Sequence, residues 1–376
     1  MPQVKKAITN LISHSNNTSV VFRLVVDMFS TTMIDVANEL GIPSYIYYTS
    51  CAAYVGVMVD FPTLDSQIEG ELLNNTSELN LPSFINPVPT LVFPNTMLNR
   101  KDDSYNWIRY HGRRYRDTKG IIVNSFAELE SHVVHAFNHI ILNIPRVYLV
   151  GPSLDLLQVK TQSAESGNRI MRWLDDQPVS SVIFLCFGSV GTLSEAQVKE
   201  LAIGLERSGQ RFLWSLRSPP KKLFDKPSEY SNPEEILPDG FLQRVEGRGL
   251  ICGWAPQVEI LAHKAIGGFV SHCGWNSVLE SLWFGVPILT WPLAAEQKVN
   301  GFELAKDLGL AVELKDEKDD LVVADVIERG VRSIILEGGG EVRRKVKEMS
   351  NKCREAVMEG GSSWSTLGSL IEDLLD

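Results

Sequence analysis

Cysteine is scarce in this chain of 376 residues: Cys51, Cys186, Cys252, Cys273 and Cys353 are scattered and odd in number. That excludes a disulfide framework and fits a reduced, cytoplasmic protein. In such a compartment the Asn-X-Ser/Thr matches at Asn16, Asn17, Asn74 and Asn75 carry no weight. Basic runs are missing and the net charge is −10, which argues against a nucleic-acid partner. No apolar stretch reaches the ~20 residues of a membrane span. Arg23 and Asp27 interrupt the best candidate. Met1 to Leu11 is a short amphipathic pattern rather than a charged start with an apolar core, so no signal peptide is expected. Internal repeats are also lacking. What is present is 44% hydrophobic and 22% charged, ample for two domains with cores of their own.

Strand-like and helix-like stretches alternate. Residues 3–13 have helical spacing, and Val20 to Val26 reads as a strand buried on both faces, ended by Asp27. Helices are expected over 31–40, 51–60, 105–118 and 126–140, with strands at 44–49, 120–124 and 147–150. Residues 62–100, rich in Pro, Asn and Ser, read as irregular. After a linker the alternation restarts, with a helix at 169–176, a strand at 182–187, a helix at 194–208 and a strand at 212–216. A Pro- and charge-rich loop over 218–237 follows, and helices close the chain. This is α/β with parallel sheets: two doubly wound, Rossmann-like domains facing a cleft. The expected boundaries are 1–152 for the first domain, joined by a C-terminal helix at 362–376, 153–167 for the linker and 168–361 for the second.

Residues 254–297 hold the chemistry. Pro256 suits the start of a short helix ending before Gly267 and Gly268. Phe269 to Ser271 reads as a strand, His272 to Trp275 as a tight turn, and Asn276-Ser277 opens a helix ending at Gly285. Val286 to Trp291 is the next strand. A strand, a glycine turn and a helix start make an anion site, because free N–H groups and the positive dipole end converge there. Trp254 and Trp275 offer flat faces, while Glu296 and Gln297 offer partners for hydroxyl groups. Together they favour a nucleotide-sugar.

This stretch, Trp254 through Gln297, resembles the 44-residue signature box of plant secondary-metabolite UDP-glycosyltransferases in length and at Trp254, Gln257, His272, Gly274, Trp275, Asn276, Ser277, Glu280, Glu296 and Gln297. Similarity runs from about Asp27 to the C-terminus and is closest to members that glucosylate phenols and flavonoids. The resemblance implies a GT-B fold and a monomer acting on a UDP-sugar and a small-molecule acceptor, with no metal and no other cofactor. It implies that Trp254 stacks on uracil, the Ala255 backbone reads the base edge, and Gln257 and Glu280 bind the ribose. His272, Asn276, Ser277 and Ser189 would hold the diphosphate. Trp275, Glu296 and Gln297 would hold the sugar, and Thr49 its 6-hydroxyl. Glutamine at the end of the box goes with glucose. Asp27 would orient a catalytic histidine.

Each residue has a plainer alternative. Trp254 alone is more often core, Glu280 an exposed helix carboxylate, Ser189 an N-cap, and Asp27 a turn aspartate. His272 alone is more often a satisfied core histidine. A metal pair with Cys273 is rejected, since neighbouring strand residues face opposite ways and no further ligand pattern lies near. The family's first Rossmann half, with its histidine, has no counterpart here. About three β-α units, roughly 90 residues, would precede this chain. The reading is therefore a truncated or fragment form of a glucosyltransferase, or a non-catalytic UDP-sugar-binding paralogue, with no histidine at a strand end facing Asp27.

Overall fold

The computed structural model describes residues 2–14, 21–67, 78–156, 164–220, 222, 225–314, 321–337 and 339–376. The chain divides into two compact units, Met1–Ser153 with Lys352–Asp376, and Leu154–Asn351.

The first unit begins with α1 (Pro2–His14), which has amphipathic spacing yet buries none of its residues. Then come β1 (Leu24–Asp27), α2 (Met33–Glu39), β2 (Ser44–Tyr48), α3 (Ala52–Gln67), a small ribbon of β3 (Glu78–Leu79) and β4 (Val88–Pro89), and α4 (Asn95–Leu98). α5 (Asp103–Tyr115), β5 (Gly120–Val123), α6 (Ser131–His139) and β6 (Arg146–Leu149) complete the run. The main sheet is parallel, in the order β1-β2-β5-β6.

Two expectations fail here. β1 is not buried on both faces: Val26 is inside but Val25 is 48% exposed, because β1 lies at the sheet edge among the described residues. The first residue of the expected strand, Val20, lies outside the described residues. α3 also runs past residue 60 and through Pro62. An interior proline costs about 3 kcal/mol and leaves the carbonyl four residues earlier without its helical partner. That carbonyl belongs to Met58, and α5 comes so close that a Cβ on Gly112 would stand 2.3 Å from it. Asp65, one turn beyond, is pinned by Arg100 (2.8 Å) and Arg109 (3.1 Å). Tertiary contacts thus outweigh the proline.

The second unit contains α7 (Ala164–Asp175), β7 (Val182–Cys186), α8 (Glu195–Ser208), β8 (Arg211–Ser215), a ribbon of β9 (Arg217–Ser218) and β10 (Ser228–Glu229), and α9 (Phe241–Arg244). β11 (Gly249–Cys252), α10 (Gln257–Leu261), β12 (Ile266–Ser271), α11 (Trp275–Phe284), β13 (Ile288–Thr290), α12 (Gln297–Phe302), β14 (Ala311–Glu313) and α13 (Ala324–Arg332) follow. Local signals set α8: the Ser194 hydroxyl accepts the Gln197 N–H, and Gly209 closes the helix at φ +69°. β12 starts earlier than expected and takes in both glycines. Gly267 is needed there, since a Cβ would stand 2.2 Å from the Ser180 carbonyl oxygen.

All six strands of the main sheet are parallel, in the order β11-β8-β7-β12-β13-β14. Counted along the chain this is 3-2-1-4-5-6, the doubly wound order, and its direction reverses between β7 and β12. Phe184 and Phe269, stacked at 5.2 Å, join those two strands, and Phe212 and Trp214 are fully buried beside them. The chain leaves through α14 (Gly339–Val357) and ends in α15 (Ser362–Leu375). α15 packs on the first unit: Arg146 pairs with Asp373 at 2.9 Å, and Tyr45 donates to the Asp373 carbonyl at 3.1 Å. No helix among the described residues is long and apolar enough to cross a membrane.

Candidate functional site

Ligands of such sheets bind beyond the strand ends where the order reverses. Here that means the turns after β7 and β12. The first carries Gly188 at φ +77° and the exposed Ser189. The second carries His272, Cys273 and Gly274, with Gly274 as N-cap of α11. Cys273 sits at φ +62°, a left-handed conformation that costs a non-glycine residue about 1–2 kcal/mol. Its N–H reaches the Ser271 hydroxyl at 3.2 Å, and Asn300 donates to its carbonyl at 3.0 Å. The strained turn is thereby fixed from both sides.

His272 lies in a slot between the two turns. A Cβ on Gly188 or on Gly274 would stand 2.4 Å from its Nε2. Its Nδ1 is buried without a hydrogen-bond partner among the described residues. Burial, and then the positive charge of Arg217, lower its pKa to about 4. At neutral pH it is an uncharged imidazole, able to donate one hydrogen bond to an oxygen. The plainer readings fail: His272 is not satisfied, and Ser189 does not cap α8, which Ser194 does.

Trp254 is 45% exposed, so it is not a core residue. A cavity of about 210 Å³ adjoins it, lined in part by Arg169, Glu229 and Tyr230. Glu229 accepts the Trp254 N–H at 2.9 Å. Ala255, next along, is buried. Gln257, at the start of α10, donates to Ser277 (2.9 Å) and to Glu280 (2.7 Å), tying α10 to α11. Burial raises the Glu280 carboxyl above its usual range, and the Gln257 amide partly offsets this. Glu280 is therefore no solvated helix carboxylate. Asn276, on the first turn of α11, is exposed.

At the other end, Gln297 accepts the N–H groups of Leu293 and Ala294, both at 2.9 Å. With its oxygen committed to the turn, its NH₂ is the group left for a ligand. Glu296, beside it, is half-buried. Trp275 departs from expectation. It is 2% exposed, so its ring offers no open face and belongs to the core under α11.

In the first unit Asp27 and Thr49 are both exposed, at the ends of neighbouring strands β1 and β2. Asp27 accepts the Phe29 N–H at 2.8 Å, which is the turn role of the plainer reading. No strand-end histidine faces it among the described residues. His111 on α5, however, is close enough for the Asp27 charge to oppose the lowering of its pKa by burial. His111 is buried and bonded to the Thr31 hydroxyl at 2.7 Å. From sequence none of the seven histidines, His111 included, is expected at a strand end facing Asp27, because helical spacing alone does not link α5 to β1. Arg217, Glu229 and Asn300 are likewise not apparent from local sequence, because their partners are long-range contacts. Arg217 carried one signal, its place just past the end of β8.

Two parallel α/β units, one with a glycine-lined histidine slot at its switch point and an exposed tryptophan beyond the edge strand β11, define a class, the GT-B glycosyltransferases. Residues 160–328 match the family model described as UDP-glucoronosyl and UDP-glucosyl transferase. The chain is 50% identical to UDP-glycosyltransferase 43 of Pueraria montana var. lobata, over 99% of this chain and 79% of that one. It is 48% identical to the putative UDP-glucose flavonoid 3-O-glucosyltransferase 3 of Fragaria ananassa, over 99% of this chain and 80% of the relative. The crystal structure of a transferase from Siraitia grosvenorii in complex with UDP superposes with a TM-score of 0.92 at 48% identity, covering 99% of this chain and 86% of that one. The chain belongs to the plant UDP-glycosyltransferase family.

Proposed function

We propose that this chain binds UDP-glucose through its second unit and serves transfer of the glucosyl group, with inversion, to a hydroxyl of a small phenolic or flavonoid-type acceptor. The observation that carries this reading is the His272 slot at the switch point, with Trp254 after β11 on one side of it in the strand order and Gln297 after β13 on the other. Uracil stacks on Trp254, the ribose hydroxyls meet Gln257 and Glu280, and the diphosphate meets Ser189, His272, Asn276 and Ser277. Glu296 and Gln297 hold the glucose. These fixed donors stabilise the departing UDP without calling on a metal. Deprotonated by a base that Asp27 orients, the acceptor oxygen attacks the anomeric carbon on the face opposite UDP. The flavonoid acceptor named for the Fragaria relative supports the acceptor class.

Calorimetry with UDP-glucose and UDP-galactose tests the donor. Glucose should bind more tightly, because a misplaced hydroxyl leaves the Gln297 amide unpaired. Equal affinities, or a galactose preference, would remove the donor assignment. Trp254→Ala should weaken UDP by about 1–3 kcal/mol, the usual loss of a base-stacking aromatic. The parent's affinity should be the same with and without EDTA. An unchanged mutant, or EDTA sensitivity, contradicts the site.

A second reading, a UDP-sugar-binding protein without turnover, draws support from Asp27, which bonds the Phe29 N–H at 2.8 Å and no histidine among the described residues. Incubation with UDP-glucose and quercetin separates the two. Glucoside formation that Asp27→Asn reduces about 10²-fold or more supports transfer. Donor binding without product supports the second reading.

A further inference from the structure

Arg217, on β9 just beyond the end of β8, is 8% exposed. One guanidinium nitrogen donates to the Ser189 carbonyl at 2.9 Å and another to the Gly188 carbonyl. The guanidinium carbon stands 6.0 Å from the Trp254 ring centroid. Its charge is also felt at His272. No carboxylate among the described residues pairs with it. A buried charge without a counter-charge is costly, and among the described residues this cation has two neutral carbonyls and the nearby face of Trp254. It touches the turn after β7, lies near the stacking tryptophan, and acts on the histidine of the slot.

We propose that Arg217 is a positioning residue of the donor site, fixing the Gly188–Ser189 turn and supplying the positive charge that the nucleotide's diphosphate neutralises. This rests on the nucleotide-sugar reading above. The geometry gives it two effects. In a trans peptide the C=O and the following N–H point opposite ways. With the Gly188 and Ser189 carbonyls turned toward Arg217, the Ser189 and Val190 N–H groups point away from it. Neither N–H has a partner among the described residues. Arg217 therefore holds two donors outward for an anion. Its charge, shielded from water, also favours a ligand with negative charge over a neutral one.

The test compares UDP with uridine, which keeps the base and ribose but lacks the diphosphate. Both are titrated by calorimetry against the parent, Arg217→Gln and Arg217→Lys. Glutamine can still bond a carbonyl but carries no charge, and should lower the UDP-over-uridine preference about tenfold or more. Uridine itself should stay within about twofold, since stacking is untouched. Lysine keeps the charge and should hold the preference within about threefold of the parent. If the glutamine variant fails to fold, lysine decides: a preference that collapses with the charge present overturns the proposal. Equal weakening of both ligands in the glutamine variant, or no change in either, also overturns it. A parent that binds neither ligand overturns the nucleotide reading and this proposal together. A parent that binds both, with an unmoved ratio in the variants, overturns this proposal alone.

Discussion

Gly188→Ala is expected to weaken UDP binding about a hundredfold or more, about 3 kcal/mol. Two separate effects act at this position. At φ +77° any Cβ is strained, by about 1 kcal/mol. The new methyl would also lie 2.4 Å from His272 Nε2. The ring cannot retreat, because Gly274 bounds the slot on its other side, where a Cβ would meet the same nitrogen at 2.4 Å. Either the imidazole swings out or the turn opens, and both undo the diphosphate contacts. Two further variants separate strain from collision. Gly274 has no positive φ, so Gly274→Ala should lose UDP by a similar factor without backbone strain. Gly209 sits at φ +69° in open space, so Gly209→Ala should lose about 1 kcal/mol of stability and no UDP affinity. The measurements are UDP titration and urea unfolding of all three. If both slot variants bind UDP within about threefold of the parent, His272 is not at the diphosphate.

The strand–turn–helix side of the slot was legible from sequence because its parts are near neighbours, whereas the side that Gly188 forms, far upstream, was not. Strand, turn and helix follow one another within Phe269–Gly285, and their signals are local: apolar run, glycine, helix start, glycine stop. The doubly wound class was legible for the same reason, from alternation alone. What was not legible depends on distance along the chain. Pro62 marks a helix end by every local rule, yet α3 continues because α5, some 50 residues later, packs on it. Trp275 has the same side chain as Trp254 and lies in the same stretch of sequence. Only the three-dimensional packing buries one and leaves the other 45% exposed. Val25 has the composition of a central strand, and its exposure follows from sheet order, which no local pattern sets. Arg217 belongs with these. Its partners, the Gly188 and Ser189 carbonyls, lie nearly thirty residues upstream, so its charge has meaning only once β7 and β8 are paired.

The stability of the second unit should fall as pH drops from about 6.5 toward 4, and His272 should account for most of the difference between the parent and His272→Asn. In the folded protein its pKa is lowered to about 4, first by burial and then by Arg217. In the unfolded chain it returns to about 6.5. Between these values the unfolded state holds a proton that the folded state does not. Stability then rises with pH, so it is fully present above about 6.5 and lost on acidification through the folded pKa. The whole shift is worth about 3 kcal/mol, of which about 2 should be gone by pH 5. Within the second unit Glu280, raised by burial, acts in the opposite direction, and His111, lowered by burial, acts in the same direction but in the first unit. A single pH curve therefore mixes several groups. Subtracting the His272→Asn curve isolates one of them. Trp173, Trp214, Trp254, Trp275, Trp283 and Trp291 all lie in the second unit, so tryptophan fluorescence in urea reports mainly on it. The parent should lose about 2 kcal/mol more than the variant between pH 7.5 and pH 5. Saturating UDP should shrink that difference, because a diphosphate beside the imidazole favours its protonated form and lifts the folded pKa back toward the unfolded one. Arg217→Gln should shrink it too, by removing the second cause of the shift. If the parent and His272→Asn curves run parallel, His272 titrates as it would in water. The closed, uncharged slot on which the diphosphate assignment rests would then not exist.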